Sequence, residues 1–539
     1  MPQALIAFHT SIGSLRLSKD IHLTSLESCS RSNTLFYNMK NYSSWRILLP
    51  CFIAFLTMCA PPVEPEVITP EPPATEEEEI EEVVPPVEED YIEPEWEEEL
   101  TDKYGISYLY DWSTIPEIHI RVSLEEWNRL LSLYDENHDT KEYIHCDVTY
   151  DKAGEQTIIT DAGIRLKGNT SRFRPEGKTG QMHKTDDTDW HRCHYQLNFR
   201  KFVKDSDHEI HGARKAILKF CNGDPTYVRE IYGYDFFRRC GVWTAAHDVF
   251  CRVYMHVEGD SKEAYLGVYG MVEHIDDEFV KAREDLFEGK KGNIWKCRLG
   301  ATLRINDGQS VGPDLDDGRE FVYELKTNTD EFEQAKAQLD DFRTKLTTLT
   351  GKSFYDWITS VCDVPFLLKT YAANVVLGNW DDYWNNANNY YIYFNSKSVD
   401  SYKFFYMPYD LDNCLGTSLQ IGSVFDSGTT NPYKWGIESN PLIHKILQFD
   451  DFRKIYTEEL KRMIDPTTGH FYYKYSVKRI KDWQESIKPY LRNDTGSGNS
   501  ISDKPASWGN RSHYRLTDEN GAANFFKIRT KYIEKFLEE

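Results

Sequence analysis

Gly378-Asn379-Trp380-Asp381-Asp382-Tyr383-Trp384-Asn385-Asn386-Ala387-Asn388-Asn389 runs straight into Tyr390-Tyr391-Ile392-Tyr393-Phe394. A second short run, Lys403-Phe404-Phe405-Tyr406-Met407, leads into Pro408-Tyr409-Asp410-Leu411-Asp412-Asn413. Residues 366–377 carry a helical apolar pattern that stops at Gly378, the residue a helix end favours. The two aromatic runs read as the strands of a hairpin. Antiparallel pairing brings the loop before the first strand and the loop after the second to the same end. Three or four carboxylates and several amides then meet. Packed carboxylates repel, so a cation is their natural neutraliser, and hard oxygen ligands suit magnesium or calcium. Phosphoryl transfer needs this inventory: a carboxylate to orient the hydroxyl, and an amide with a carboxylate to hold metal. Asn and Asp also crowd into ordinary turns because they tolerate tight backbone geometry. The spacing alone leaves a catalytic site, a solvated loop and a structural calcium site open.

Working outward, residues 115–122 alternate as a strand. Ser123, with Glu126 three residues on, marks the start of a helix carrying Trp127, Leu130 and Leu131 on one face. Residues 143–150, 162–167 and 194–199 read as strands, the second running into the polar turn Gly168-Asn169-Thr170-Ser171. A helix is expected over 227–240, and a hairpin over 249–257 and 264–273 turning at Glu258-Gly259-Asp260. Helices follow over 331–348 and from Pro441 to Tyr490. A Gly/Ser-rich loop covers 495–507, and a last helix ends at Phe536. Strands dominate the first half and helices the second. That is an α+β chain, arranged as two lobes with a cleft.

Apolar content of 40% and aromatic content of 14% are enough for a large core. The net charge of -24 is concentrated: residues 60–100 hold seventeen Asp and Glu and no Lys or Arg. The rest is mildly acidic and lacks the basic footprint of a nucleic-acid binder. Eleven cysteines include no CxxC pair, which excludes a zinc-finger type of site. Those from Cys146 to Cys414 read as small core residues, with disulfides open to them if the body is exported.

Residues 1–38 show no signal architecture and read as an untranslated upstream segment, with Met39 as the start. Lys40, Arg46 and the apolar run 47–58 form the n- and h-regions of a signal peptide, too short to span a membrane. Leu56-Thr57-Met58-Cys59 resembles a bacterial lipobox. It predicts cleavage before Cys59 and acylation there, although Met58 stands where a small residue is usual; an uncleaved anchor is the alternative. The Pro/Glu-rich stretch 60–100 cannot bury enough apolar surface to fold and reads as a disordered tether. The folded body is 101–539.

The stretches quoted resemble, in order along the chain, the CotH (spore coat protein H) family of atypical protein kinases. Residues 115–131 resemble its opening strand and helix. Ile164-Arg165-Leu166-Lys167-Gly168-Asn169-Thr170-Ser171 resembles its R-G-N-S-S segment. Gly259 through Tyr265-Leu266-Gly267-Val268-Tyr269 to Glu273 resembles its N-G-x-Y-x-G-x-Y-x-x-x-E hairpin. Asn379-Trp380-Asp381 with Asn389-Tyr390-Tyr391 resembles its N-x-D and N-Y-x-x-Y loop, and Pro408-Tyr409-Asp410-Leu411-Asp412 its P-W-D-x-D. Asn440-Pro441-Leu442 resembles its closing segment.

The resemblance implies a two-lobed atypical protein-kinase-like fold that uses ATP and Mg2+ (or Mn2+ or Ca2+) to phosphorylate protein Ser or Thr. Carried over, Asp381 is the catalytic base, and Asn389, Asp410 and Asp412 are metal ligands. Arg165 and Lys167 face phosphates, Lys296 is the nucleotide lysine, and Glu273 pairs with a lysine or holds a second metal; for these four an ordinary surface charge is the alternative. Lys167 stands where the family usually has Arg, which loses a bidentate fork. Tyr409 replaces a Trp, and Asp260 to Lys262 lengthen the hairpin turn. Neither GxxxxGK[ST] nor GxGxxG occurs, which excludes a P-loop enzyme and an ordinary kinase glycine loop.

Three functions remain open from sequence. One is an exported kinase, lipid-anchored in a bacterial envelope with its body outside the cytoplasm, acting on a protein whose identity the sequence does not give. The second is a non-catalytic surface lipoprotein serving adhesion or ligand binding. The third is a calcium-stabilised structural domain.

Overall fold

Alternation decides the first sheet. In β1 (Glu117–Val122) Ile118, Ile120 and Val122 point inward, and Ser123 then caps α1 (Leu124–Glu136) by accepting the Glu126 N–H at 3.2 Å. Trp127, Leu130 and Leu131 are the buried stripe of that helix, as its spacing predicts. The computed structural model describes residues 106–204, 207–315, 319–417, 425–506 and 513–537. The readings of 1–38, 39–59 and 60–100, Cys59 included, lie outside them.

β1, β2 (Ile144–Lys152), β3 (Glu155–Lys167), β4 (His194–Asn198), β5 (Lys215–Lys219), β6 (Asp248–Val257) and β7 (Ala264–Glu273) close into a barrel in the order β1-β2-β3-β4-β5-β7-β6. Six neighbouring pairs are antiparallel and β1 joins β6 in parallel. Parity requires this: six reversals restore the starting direction, so the contact that closes a ring of seven joins strands running the same way. The strand-rich first half is as expected; its closure is a finding of the structure. α2 (Arg229–Arg239) lies between β5 and β6 in sequence.

The second sheet has the order β12-β11-β8-β10-β9, built from β8 (Asn293–Cys297), β9 (Val311–Pro313), β10 (Tyr323–Leu325), β11 (Tyr390–Phe394) and β12 (Phe404–Pro408). Every residue of β11 and β12 is buried, as in a sheet covered on both faces. The covering helices include α3 (Phe332–Thr348), whose Phe342 ring stacks on Phe404 at 4.5 Å. α4 (Gly351–Val361) follows, then α5 (Val364–Leu377), capped by Asp363 and ended by Gly378 at φ 66. α6 (Asp450–Ile464), α7 (Tyr473–Ile487) and α8 (Phe525–Leu537) complete the helical second half.

Two hydrophobic cores result. One fills the barrel against α1; the other joins α2, the second sheet and the later helices. The eight cysteines among the described residues are free thiols, seven of them buried, in line with their reading as core residues. Among the described residues no single helix is long and apolar enough to cross a membrane.

Candidate active site

β11 and β12 pair as the sequence predicts, with Tyr390 opposite Pro408. The loop entering β11 and the turn leaving β12 therefore share one end of the hairpin. Asn413 joins them: its side-chain amide donates to Asp381 Oδ2 at 3.3 Å and to Asp412 Oδ1 at 3.0 Å. α2 holds the same turn from behind. A Cβ on Gly233 would stand 2.9 Å from Leu411 Cβ, so only glycine admits the helix at this distance.

Asp381 is ringed by amides. Oδ1 accepts from Asn386 at 2.5 Å and Asn388 at 3.0 Å, and Oδ2 accepts from Asn389 at 3.0 Å. Asn389 reaches it from a left-handed backbone at φ 53, which Asn tolerates. Burial raises the Asp381 pKa and the Asp410 charge adds to this, while the amide donors oppose it. Asp382 does other work. It is buried, caps the short helix Tyr383–Asn386 through the Asn385 N–H at 2.7 Å, and accepts from Asn374 and from the Trp435 indole. Burial pushes it up to about 7.

On the far side of Asp412 stands Lys219, the last residue of β5. Its ammonium pairs with Asp410 and donates to Glu230 of α2 at 2.5 Å. Burial opposes the Lys219 charge, but Asp410, Glu230 and Asp412 together raise its pKa well above the ordinary value. Asp410 gains most: against burial, Lys219 holds it down at about 2. One ammonium cannot neutralise every acid here. Asp412 is pushed well up by burial and by Asp410, Glu230 is raised by burial, and Asp248 is raised well above its usual range by burial and by Glu230. Asp248 Oδ1 is buried without a hydrogen-bond partner. Glu230, Asp248, Asp412 and Lys219 line one cavity with His194.

A second group is basic. Lys167, at the end of β3, donates to the Tyr409 hydroxyl at 2.9 Å and lies 5.6 Å from the centre of its ring. Lys296 of β8, opposite Tyr391 in the sheet, places its ammonium 5.4 Å from the same ring. Burial and Arg165 depress Lys167 to about 7, and burial and Arg298 depress Lys296 well below its usual value. Arg165 donates to Gln196 at 2.5 Å and stands over the Tyr143 ring. Arg298, Lys326 and Lys141 converge on the buried carboxylate of Glu324.

Asp381, Asn389, Asp410 and Asp412 are thus brought together as the sequence predicts, with Lys167 and Lys296 beside Tyr409. Glu273 is not. It lies at the other end of β5, opposite Ala216 where Lys219 is opposite Gly270. It pairs with Arg283 and His247, both at 2.8 Å. The expectation of a lysine partner for Glu273 is corrected: the lysine–glutamate pair at this site is Lys219–Glu230. Sequence reasoning missed both residues. Lys219 ends a five-residue strand and Glu230 sits in the first turn of a helix, positions where a charge is ordinary. Asn413 was visible in the quoted stretch and its bridging role was not.

The donor set fits a divalent ion in part. Among the described residues no three His, Cys, Asp or Glu side chains are already grouped to hold a metal. Magnesium, however, is commonly held by one or two carboxylates with phosphate oxygens and water completing its shell. Asp410, Asp412 and the oxygen of Asn389 suit that role, and the surplus of acid around Lys219 calls for a further cation.

A family model described as CotH kinase protein matches residues 164–533, most of the chain. No curated protein matches the chain.

Proposed function

The chain belongs to the CotH kinase family, and from that premise we propose that it transfers the γ-phosphoryl group of ATP to Ser or Thr of a surface or exported protein. The observation that carries this reading is the Asn413 bridge, which sets Asp381 beside the Asp410–Asp412 turn and hence beside Lys219–Glu230. The two cores, with Lys167 of the barrel touching Tyr409 beyond the second sheet, support a two-lobed kinase-like arrangement.

In this mechanism Asp381 accepts a hydrogen bond from the incoming hydroxyl and takes its proton as the oxygen–phosphorus bond forms and ADP departs. The amides of Asn386, Asn388, Asn389 and Asn413 fix the carboxylate and moderate the effect of burial on it. Lys219, held by Glu230, keeps Asp410 ionised. Asp410, Asp412 and Asn389 would hold a divalent ion, which offsets the charge of the triphosphate. Lys167 and Lys296, with Arg165 nearby, face the phosphates.

The signal-like run 47–58 and Cys59 support export and lipid anchoring in the bacterial envelope. They also favour a second reading, a surface protein that keeps the fold for adhesion or ligand binding, because ATP is scarce outside the cytoplasm. Nucleotide binding by the purified protein, with and without magnesium, separates the two. The kinase reading expects ATP to raise the melting temperature strongly only when magnesium is present. Absence of any nucleotide-dependent shift favours the second reading.

A further inference from the structure

Two half-buried lysine side chains lean on one aromatic ring. Among the described residues, neither Lys167 nor Lys296 has a carboxylate ion-pair partner. Their recorded contacts are with Tyr409: the hydroxyl accepts from Lys167 at 2.9 Å, and the ring faces Lys167 at 5.6 Å and Lys296 at 5.4 Å. Their surroundings make this costly. Arg165 on β3, His194 on β4, Lys219 on β5 and Arg298 after β8 all lie around the pair, while Asp410 acts on both lysines and Glu324 on Lys296 without a direct ion pair. A partly buried cation without a direct ion-pair partner is disfavoured. A ring face and a hydroxyl oxygen offset part of that cost. Tyr409 is itself buried and braced edge-on by Tyr391 at 5.1 Å.

The Lys167–Tyr409 bond also crosses from the barrel to the turn that follows the second sheet. Beside it the Lys219–Asp410 pair ties β5 of the barrel to the same turn. A further tie runs from Lys141, before β2, to Glu324 of β10 at 3.1 Å and to Asp314 at 3.3 Å.

We propose that Tyr409 is a positioning residue that parks Lys167 and Lys296 in the nucleotide-free protein and gives them up to the phosphate oxygens when nucleotide enters. This rests on the kinase reading and goes further, since it assigns Tyr409 a contact made in the free state and lost in the bound one. An interaction present only in the free state lowers affinity, so removing it tightens binding. Tyr409→Phe keeps the ring and deletes the acceptor of Lys167.

The test is calorimetric titration of the full-length wild type and Tyr409→Phe with ATP, at saturating magnesium, and separately with adenosine. Tyr409→Phe is expected to bind ATP more tightly, by up to about tenfold, the scale of one hydrogen bond to a charged group. Adenosine affinity is expected to stay unchanged, because it carries no phosphate for the lysines. ATP affinity that is unchanged or weaker in Tyr409→Phe overturns the proposal, as does equal tightening for adenosine. Wild type that binds no ATP overturns the kinase reading itself, a result distinct from wild type that binds and a variant that gains nothing.

Discussion

Asp381 and Asp382 are adjacent in sequence and differ in what surrounds them. Both oxygens of Asp382 accept from fixed donors: Asn385, Asn374 and Trp435. Asp381 meets amides of a loop whose partners include the Asp412 turn. Their neighbours also set a pH dependence. The pKa values of Asp412, Asp248 and Glu230 are raised on folding, and that of Asp382 reaches about 7. A carboxyl in an unfolded chain titrates near ~4. Through these acids the folded protein holds more protons than the unfolded one between these values, so their contribution to stability falls as pH rises through that window, while the buried His194, His247, His274 and His470, whose pKa values burial lowers, contribute in the opposite sense. Acids with depressed values, such as Asp410 at about 2, act below it. Denaturant unfolding of the metal-free wild type and Asp412→Asn should show the stability of the variant relative to wild type rising from about pH 4 to about pH 7. At neutral pH Asp412→Asn should equal or exceed wild type in stability. A difference that stays constant or falls through this window would show that the Asp412 carboxylate is compensated by charges other than Lys219. At this scale the meeting of the Asp381 loop with the Asp410–Asp412 turn was legible in the hairpin pattern. Sequence reasoning missed Lys219 and Glu230 because an isolated charge acquires meaning only when the fold supplies its partner. Lys167 and Tyr409, two of the three departures from the family pattern noted in the sequence, turn out to touch each other.

Elements were legible where they were long or punctuated. The Ser123 cap, the Gly259 turn of the β6–β7 hairpin and the Gly378 stop of α5 all stand where local chemistry puts them. β5, β8, β9 and β10 were not foreseen. They run three to five residues, too short for a period to register, and their pairing depends on strands distant in sequence. The parallel β1–β6 contact that closes the barrel joins residues more than a hundred positions apart and leaves no local mark. The contact of α2 with the metal-side turn belongs to this scale, and Gly233 controls it. Gly233→Ala would ordinarily favour a helix by up to ~1 kcal/mol. Here the new methyl meets Leu411 Cβ at 2.9 Å, so the expected result is a net loss of about 1–3 kcal/mol. The turn carrying Asp410 and Asp412 should shift with it, and the magnesium-dependent response to ATP should shrink. Unfolding curves with and without magnesium-ATP check both. A stabilised variant with a full response would mean that the helix does not set the turn.

For the whole molecule, the matched family segment ends well short of the N-terminus, beginning at residue 164. The acidic run 60–100 and the Cys59 motif are read from sequence alone. If Cys59 is the lipidated residue, mass spectrometry of protein extracted from membranes should find an acylated N-terminal cysteine at that position. An N-terminus upstream of Met39 would remove both the start site and the anchor. The central claim is that the Asp381 loop and the Asp410–Asp412 turn form one phosphoryl-transfer site, and transfer itself tests it most directly. Wild type and Asp381→Asn would be incubated with magnesium and γ-labelled ATP, with ATP binding measured on the same samples. The account expects wild type to incorporate label into protein and Asp381→Asn to do so about a hundredfold less, the scale of a lost general base, while both bind ATP equally. Equal incorporation by the two proteins, or binding by both with no transfer by wild type, would contradict it.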